Sequence, residues 1–310
     1  MEDGYVVVLG SAGIDVKGRP NRTPQPGMSN PGIVRNTVGG VARNIAENLA
    51  RLEVPTVLFT VLGHDSAGSR VLRKCQRAGV DCEYVQRIRG ERTGTYMALL
   101  NPEGQLEVAV SDFAIIDQLN SDYIQEHREV LADAEMIVLD ATIGDSTIET
   151  IFEIARESNV RVAADPTNPT MAGRLCPYIG DLYLVVPNAM ETDALCGAVN
   201  RARDRESALQ AARALVSLGA TIAVVTLGEQ GLAYADAGGG GYIRAINTRV
   251  VDTTGAGDAF SGAAIFGLLN NVPVDEAMRL GITAASLTLE STQTVLPTLN
   301  QELLYSKLMV

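Results

Sequence analysis

The sequence predicts an α/β fold: a central, mostly parallel sheet with helices on both faces. Three observations carry this. Short, continuously apolar runs at 136–139, 160–164, 182–186 and 222–226 alternate with helical segments near 146–157, 189–196 and 204–218, the rhythm of strands buried on both sides by crossover helices. The string Val251-Asp252-Thr253-Thr254-Gly255-Ala256-Gly257-Asp258-Ala259-Phe260 leads into apolar or small positions Phe260, Ala264, Gly267 and Leu268 at helical spacing, so its glycines stand at or just before a helix N-terminus. With 310 residues, 46% hydrophobic and 20% charged, the chain has the size and balance for a large buried core and is taken as one domain over 1–310.

In chain order, 5–9 is an apolar β-rich run ending at Gly10-Ser11-Ala12-Gly13-Ile14-Asp15, a buried strand running out into a loop. Ligands of open α/β sheets collect at strand carboxyl ends, which makes Asp15 a candidate for gripping a hydroxyl. A turn-forming aspartate fits the position equally well. Residues 16–38 turn polar and carry Pro20, Pro24, Pro26 and Pro31, a length of connection that is usually functional or disordered. Gly39-Gly40 opens a helix whose buried stripe is Val41, Ile45, Leu49 and Leu52, with Arg43, Glu47 and Arg51 expected on its surface and Asn44 in its first turn. The next strand is 56–62, followed by a turn and helix cap at 63–68. The stretch 63–70 imitates a phosphate-binding loop but has Ser69 where that motif requires lysine, and it is rejected; His64 reads as a loop residue. Residues 95–100 and 105–110 flank Asn101-Pro102-Glu103-Gly104 as a hairpin. Residues 238–241 read as a flexible turn between runs at 232–235 and 242–245, and helices near 274–289 and 300–308 finish the fold.

A net charge of −12 argues against nucleic acid as a partner, which needs a basic footprint, but leaves room for a small anion held by backbone amides. No apolar run reaches membrane-spanning length and the start, Met1-Glu2-Asp3-Gly4, is unlike a secretory signal, so no membrane partner is expected. Cys75, Cys82, Cys176 and Cys196 form no Cys-x-x-Cys pair, and His64 and His127 are the only histidines, which disfavours zinc. Unpaired core thiols in a reducing cytoplasm are the expectation.

The chemistry concentrates at 252–260. The first N–H groups of a helix lack internal partners, and glycine lets an anion approach them. A carboxylate beside a bound anion is unfavourable unless it works, and Asp258 suits a general base taking a proton from an attacking hydroxyl. The simpler alternative is a Thr253 or Thr254 cap, with Asp258 complementing the helix dipole. Asn188 and Glu191, after another strand, have the spacing of a capping box. Thr226-Leu227-Gly228-Glu229-Gln230-Gly231 follows a strand as well.

These fragments, with Gly39-Gly40 and Asn44, fall in the order of the ribokinase-like (PfkB) sugar kinases, which the chain resembles over essentially its whole length. The resemblance implies a ribokinase-like three-layer sandwich with a small β lid formed by about 16–38 and 93–112, closing over the substrate and offering a surface for a homodimer. It implies Asp258 as catalytic base and the amides of Gly255, Ala256 and Gly257 holding the transferring phosphoryl group. Asp15, Gly39, Gly40 and Asn44 then contact sugar hydroxyls, Asn188, Thr226, Gly228 and Gly231 lie beside the nucleotide, and Glu191 organises magnesium through water. ATP and Mg²⁺ are the implied cofactors. Many relatives hold K⁺ at the position of Asp252, but Glu290-Ser291-Thr292-Gln293-Thr294 lacks the usual Gly-Ala run, which leaves potassium dependence open. Ser29-Asn30-Pro31-Gly32, the run 39–50 and Thr93-x-Thr95-Tyr96 are similar to the pseudouridine kinase branch, which implies transfer from ATP to the 5′-hydroxyl of a C-linked ribonucleoside, with Ser29, Asn30 and Thr95 near its base. Met171 stands where members of the family carry a lysine. The alternatives are a kinase of another ribonucleoside or a free sugar such as ribose or fructose, and a silent nucleoside-binding regulator on the same fold.

Overall fold

Apolar runs that alternate with helices form β1 (Val6–Leu9), β4 (Thr56–Gly63), β8 (Met136–Asp140), β9 (Arg161–Asp165), β10 (Leu182–Val185) and β11 (Ile222–Thr226) in the computed structural model, which describes residues 4–197 and 202–308. Segments of mixed polarity give β2 (Gly13–Pro20), β3 (Gly32–Gly39), β5 (Val85–Ile88), β6 (Gly94–Leu100), β7 (Leu106–Asp112), β12 (Leu232–Asp236) and β13 (Gly239–Ile243).

Nine of these make the central sheet, in the order β13-β12-β11-β10-β9-β8-β1-β4-β5. Pairing is parallel from β5 to β11 and antiparallel only across β11, β12 and β13. Alternation along the strands builds a core on each face: Val7, Leu9, Ile137, Leu139 and Val225 face one layer of helices, and Val6, Val8, Met136, Val138 and Val224 the other. The first layer includes the helices Asp145–Ser158 and Arg205–Ser217, the second Val41–Arg51, Ala256–Leu269 and Val274–Leu289. Strand order reverses at β1, which lies between β4 and β8. A crevice therefore opens at the carboxyl ends of β1 and β8, the place where open α/β sheets bind ligands.

The remaining four strands form a separate sheet, β3-β2-β6-β7, joined to the body through Gly39 and Gly94. The pleat sorts its residues onto two faces. Lys17 lies beside Arg35 and Ala98, and Asp15 beside Tyr96, on the face toward the body. Val34, Gly18, Leu99 and Val108 form one cross-strand row of the opposite face, and Asn36, Val16, Met97 and Val110 the next.

Three sequence expectations are corrected. Arg43 and Glu47 are fully buried rather than on the helix surface, because the face that carries them is covered by the end of β3 and by residue 294. Gly239, Gly240 and Gly241 belong to β13, where backbone pairing with β12 needs no side chain; only the turn before them is loop. Cys176 is exposed, so the cysteines are free but not all core thiols. Among the described residues no helix is long and apolar enough to cross a membrane.

Candidate active site

Two helices point their N-termini into the crevice, and they differ in how their first amides are used. The helix Val41–Arg51 begins after Gly40, whose φ of 98° and close approach to Ala12 and Ser11 exclude a side chain. It has no cap of its own. Partners from β1 and β8 supply one: Ser11 Oγ accepts the Val41 N–H, Asp140 Oδ2 the Ala42 N–H, and the Ser11 carbonyl the Arg43 N–H, at 3.0–3.1 Å. Asp140 also accepts Ser11 N–H at 2.8 Å and Ser11 O–H at 2.7 Å through Oδ2, and Thr142 N–H at 3.0 Å through Oδ1. A fully buried carboxylate with this many donors is a structural hub, and it fills the first helix end.

The helix Ala256–Leu269 is different. Its N-cap is Gly255 in the left-handed region, with no side-chain cap; Thr253 and Thr254 do not cap it. A Cβ at Gly255 would overlap the Thr294 carbonyl oxygen, whereas one at Gly257 would meet nothing within 4 Å. Ala256 N–H makes a long 3.4 Å contact to the Thr253 carbonyl, and among the described residues no protein acceptor takes the amides of Gly255, Gly257 or Asp258. Free, convergent N–H groups at a helix N-terminus are what an anion binds.

Asp258 lies in the first turn of that helix and is 8% exposed. Asn44, in the first turn of the other helix, donates its Nδ2–H to Asp258 Oδ2 at 2.5 Å. Burial pushes the Asp258 carboxyl up to about 7; the Asn44 hydrogen bond and the Arg43 charge oppose the rise, and Asp15 and Asp140 add to it. A carboxyl tuned to neutrality is fitted to accept a proton from a hydroxyl. Asp15, at the start of β2, stands against Gly39 so closely that a Cβ there would collide with its carboxylate. Burial raises the Asp15 carboxyl too, with Arg43 and Lys17 opposing. The structure thus brings Asp15, Gly39, Gly40, Asn44 and Asp258 to one point under the lid.

Thr226, Gly228 and Gly231 line a cavity of about 780 Å³ whose far wall includes Ala256, Gly257, Phe260 and Leu289, so the 226–231 loop and the N-terminus of the helix Ala256–Leu269 share one cleft. Gly228 and Gly231 both have positive φ, and a side chain on Gly231 would run into the backbone of 243–245. Asn188 and Glu191 form a complete capping box: Asn188 accepts the Met190 and Glu191 amides, and Glu191 accepts Asn188 N–H at 2.8 Å and Nδ2–H at 2.6 Å. Asn188 bridges to Thr226 at the rim of the cavity but does not line it. Burial raises the Glu191 carboxyl, against the Asn188 donors.

Ser29 and Asn30 lie at the exposed lid tip, where the Asn30 amide is spent on Gln25 and Met28 of its own loop. Thr95 turns its hydroxyl to the Thr93 carbonyl. Met171 packs against the core beneath the short helix Pro169–Ala172. The Asp252 carboxylate, expected at a cation site, is held by the Lys17 ammonium at 2.7 and 2.8 Å. Burial would lift that carboxyl, but the Lys17 and Thr254 hydrogen bonds hold it below its usual range.

Asp140, Asp165 and Lys17 escape the sequence reading, and Tyr96 enters it only as part of a motif. Asp140 and Asp165 end apolar strands as Asp15 follows one, so the rule that selects Asp15 also selects them. Burial, with Asp258 and Glu191 nearby, pushes the Asp165 carboxyl well up. Tyr96 and Lys17 reach the crevice from the lid, which only strand register reveals.

A family model described as "pfkB family carbohydrate kinase" matches residues 3–301. Pseudouridine kinase of Escherichia coli (strain K12) is 31% identical over 300 residues, covering 96% of this chain and 95% of the relative. Ribokinase of Staphylococcus aureus (strain COL) is 28% identical over 289 residues, covering 92% and 93%. Among solved structures, Arabidopsis thaliana ribokinase complexed with ribose and ATP superposes with a TM-score of 0.83 over 99% of both chains, at 24% identity, a likeness of fold.

Proposed function

We propose that this chain, which belongs to the pfkB family of carbohydrate kinases and therefore transfers phosphate from ATP to a sugar or nucleoside hydroxyl, phosphorylates the 5′-hydroxyl of pseudouridine. The observation that carries the phosphotransfer is the unequal use of two convergent helix ends: one is filled by Ser11 and Asp140, and the other leaves amides free beside a near-neutral buried carboxyl. The choice of nucleoside is supported by the relative that is 31% identical over nearly the whole chain.

Asn44 engages Asp258 Oδ2, which leaves Oδ1 to take the proton from the acceptor hydroxyl. The oxygen so freed attacks the γ-phosphorus in line, the bond to the leaving ADP oxygen breaks, and the proton passes from Asp258 to water as products leave. The amides of Gly255, Ala256 and Gly257 stabilise the charge on the equatorial oxygens. Asp15 and the backbone at Gly39-Gly40 orient the sugar. The nucleotide lies in the cavity lined by Thr226, Gly228 and Gly231.

Among the described residues no group of three or more His, Cys, Asp or Glu forms a metal cluster; Mg²⁺ would arrive on the triphosphate with its waters, and Glu191, now held by Asn188, is the residue that would engage those waters. Bound Mg²⁺ offsets the polyphosphate charge. On the lid, the rows containing Val34, Leu99 and Val108 and containing Met97 and Val110 present an exposed apolar face that suits a homodimer.

The commitment of Asn30 to its own loop and of Met171 to the core favours one second reading, a kinase of another ribonucleoside or of free ribose or fructose. An ADP-formation assay with pseudouridine, uridine, adenosine, ribose and fructose separates them. The expected result is a kcat/KM for pseudouridine about tenfold or more above any other acceptor. A better acceptor among the others overturns the substrate, and tight binding without turnover of any would favour the silent regulator.

A further inference from the structure

Lys17 is half-buried, and its ammonium turns inward rather than to solvent. Its side chain leaves β2 on the inner face of the lid and crosses to the segment just before the anion-binding helix end. There Asp252 Oδ1 and Oδ2 accept at 2.7 and 2.8 Å, and Thr254 Oγ1 accepts the third N–H. An ammonium has three donors, so this one is saturated and has none left for a substrate. Its acceptors are not incidental. Asp252 Oδ1 also takes the Thr254 N–H at 2.9 Å, closing the turn that delivers the chain into Gly255. Among the described residues, Lys17 makes the only side-chain hydrogen bonds between the lid strands and residues 250–254. The contact also forms part of the wall of a cavity of about 430 Å³ between the lid and that segment, lined by Arg35, Tyr96 and Thr253 as well.

We propose that Lys17 is a positioning residue, a cation tethered to the lid that sets the Asp252–Thr254 turn when the lid is down and so aligns the free amides for the phosphoryl group. The inference rests on the kinase reading above. It makes the catalytic loop complete only with the lid closed, so nucleotide bound without an acceptor under the lid is held in a less reactive site. It also makes the requirement at Asp252 one of charge and size, which a small free cation can meet when the tether is gone.

The test uses the full chain carrying Lys17→Met or Lys17→Arg, with the acceptor the unaltered protein turns over best. In Lys17→Met, kcat is expected to fall about 30-fold or more with the acceptor KM changed less than about threefold, since misalignment costs rate rather than binding. Roughly 100 mM ammonium chloride should recover a large part of that rate, and tetramethylammonium chloride at the same ionic strength should not. The unaltered protein should respond to neither salt, and Lys17→Arg should lie between. A loss that ammonium does not relieve, an effect on KM alone, or full activity in Lys17→Met each overturns the inference. Trypsin cleavage after the exposed Arg22 of the lid is a readout independent of turnover. It should quicken several-fold in Lys17→Met, and an unchanged rate overturns the latch. If the unaltered protein phosphorylates no acceptor, the kinase reading fails while this cleavage still decides the latch.

Discussion

Asp258 shows what one carboxyl group gains and loses by burial. Its folded pKa of about 7 exceeds the ordinary 3.8. Between those values the folded protein keeps a proton that the unfolded chain has released. The stability this contributes is complete below 3.8 and is lost as pH rises to about 7. Asp258→Asn cannot ionise, so it should be more stable than the unaltered protein at pH 8 by about 1–3 kcal/mol and nearly equal to it at pH 4, as read from urea unfolding. The same substitution should lower kcat by about 10³-fold while nucleotide binding persists. In the unaltered enzyme kcat/KM should fall on the acid side with a midpoint near pH 7; an acid limb near pH 4 would remove Asp258 from the base role. This residue was legible in the sequence because two glycines, an alanine and an aspartate open a helix. Arg43 and Glu47 were not. Their spacing places them opposite Ile45 and Leu49, which normally means solvent. Only the tertiary fold brings the Val38 carbonyl and the Thr294 hydroxyl onto that face, where Arg43 pairs with Glu47 at 2.5 Å.

Elements differ in how much of their form is written locally. The parallel strands carry continuous apolar runs because both faces are covered, and they stand out at once. β13 is three-fifths glycine, and β5 reads Val-Gln-Arg-Ile. Neither has a pattern, and each exists because a neighbouring strand offers a backbone ladder. At the N-terminus of the helix Ala256–Leu269, two glycines that look alike in sequence have opposite surroundings. Gly255 has φ 85° and faces the Thr294 carbonyl, while Gly257 faces open space. Gly255→Ala should destabilise the fold by about 1–3 kcal/mol. Gly257→Ala should melt with the unaltered protein yet lose turnover, because its methyl group stands where the phosphoryl group is proposed to lie. A Gly255→Ala protein of normal stability would mean that the 294 segment does not press on this loop.

For the molecule as a whole, the periodic signal foretold the layered sheet, but it could not foretell how the lid divides its faces. Lys17, Arg35 and Tyr96 turn inward, and Val34, Val108 and Val110 outward, 70%, 55% and 60% exposed. An apolar sheet face of this extent calls for cover. The proposed homodimer predicts that Val108→Lys with Val110→Lys turns a dimer into a monomer in analytical ultracentrifugation, and a monomeric unaltered protein would sink it. The helix Val41–Arg51 carries a separate consequence for how this protein is made. Thr294 receives Arg43 Nη2–H, the Pro297 carbonyl receives Arg51, and Gln301 donates to the Leu52 carbonyl, partners some 246 to 251 residues downstream. A ribosome must synthesise most of the protein before the charged cluster of this helix can find its counterparts. Until then that helix emerges with charged side chains awaiting enclosure, and a nascent chain stalled before residue 294 should be without its assembled catalytic centre, however native the sheet around it has become.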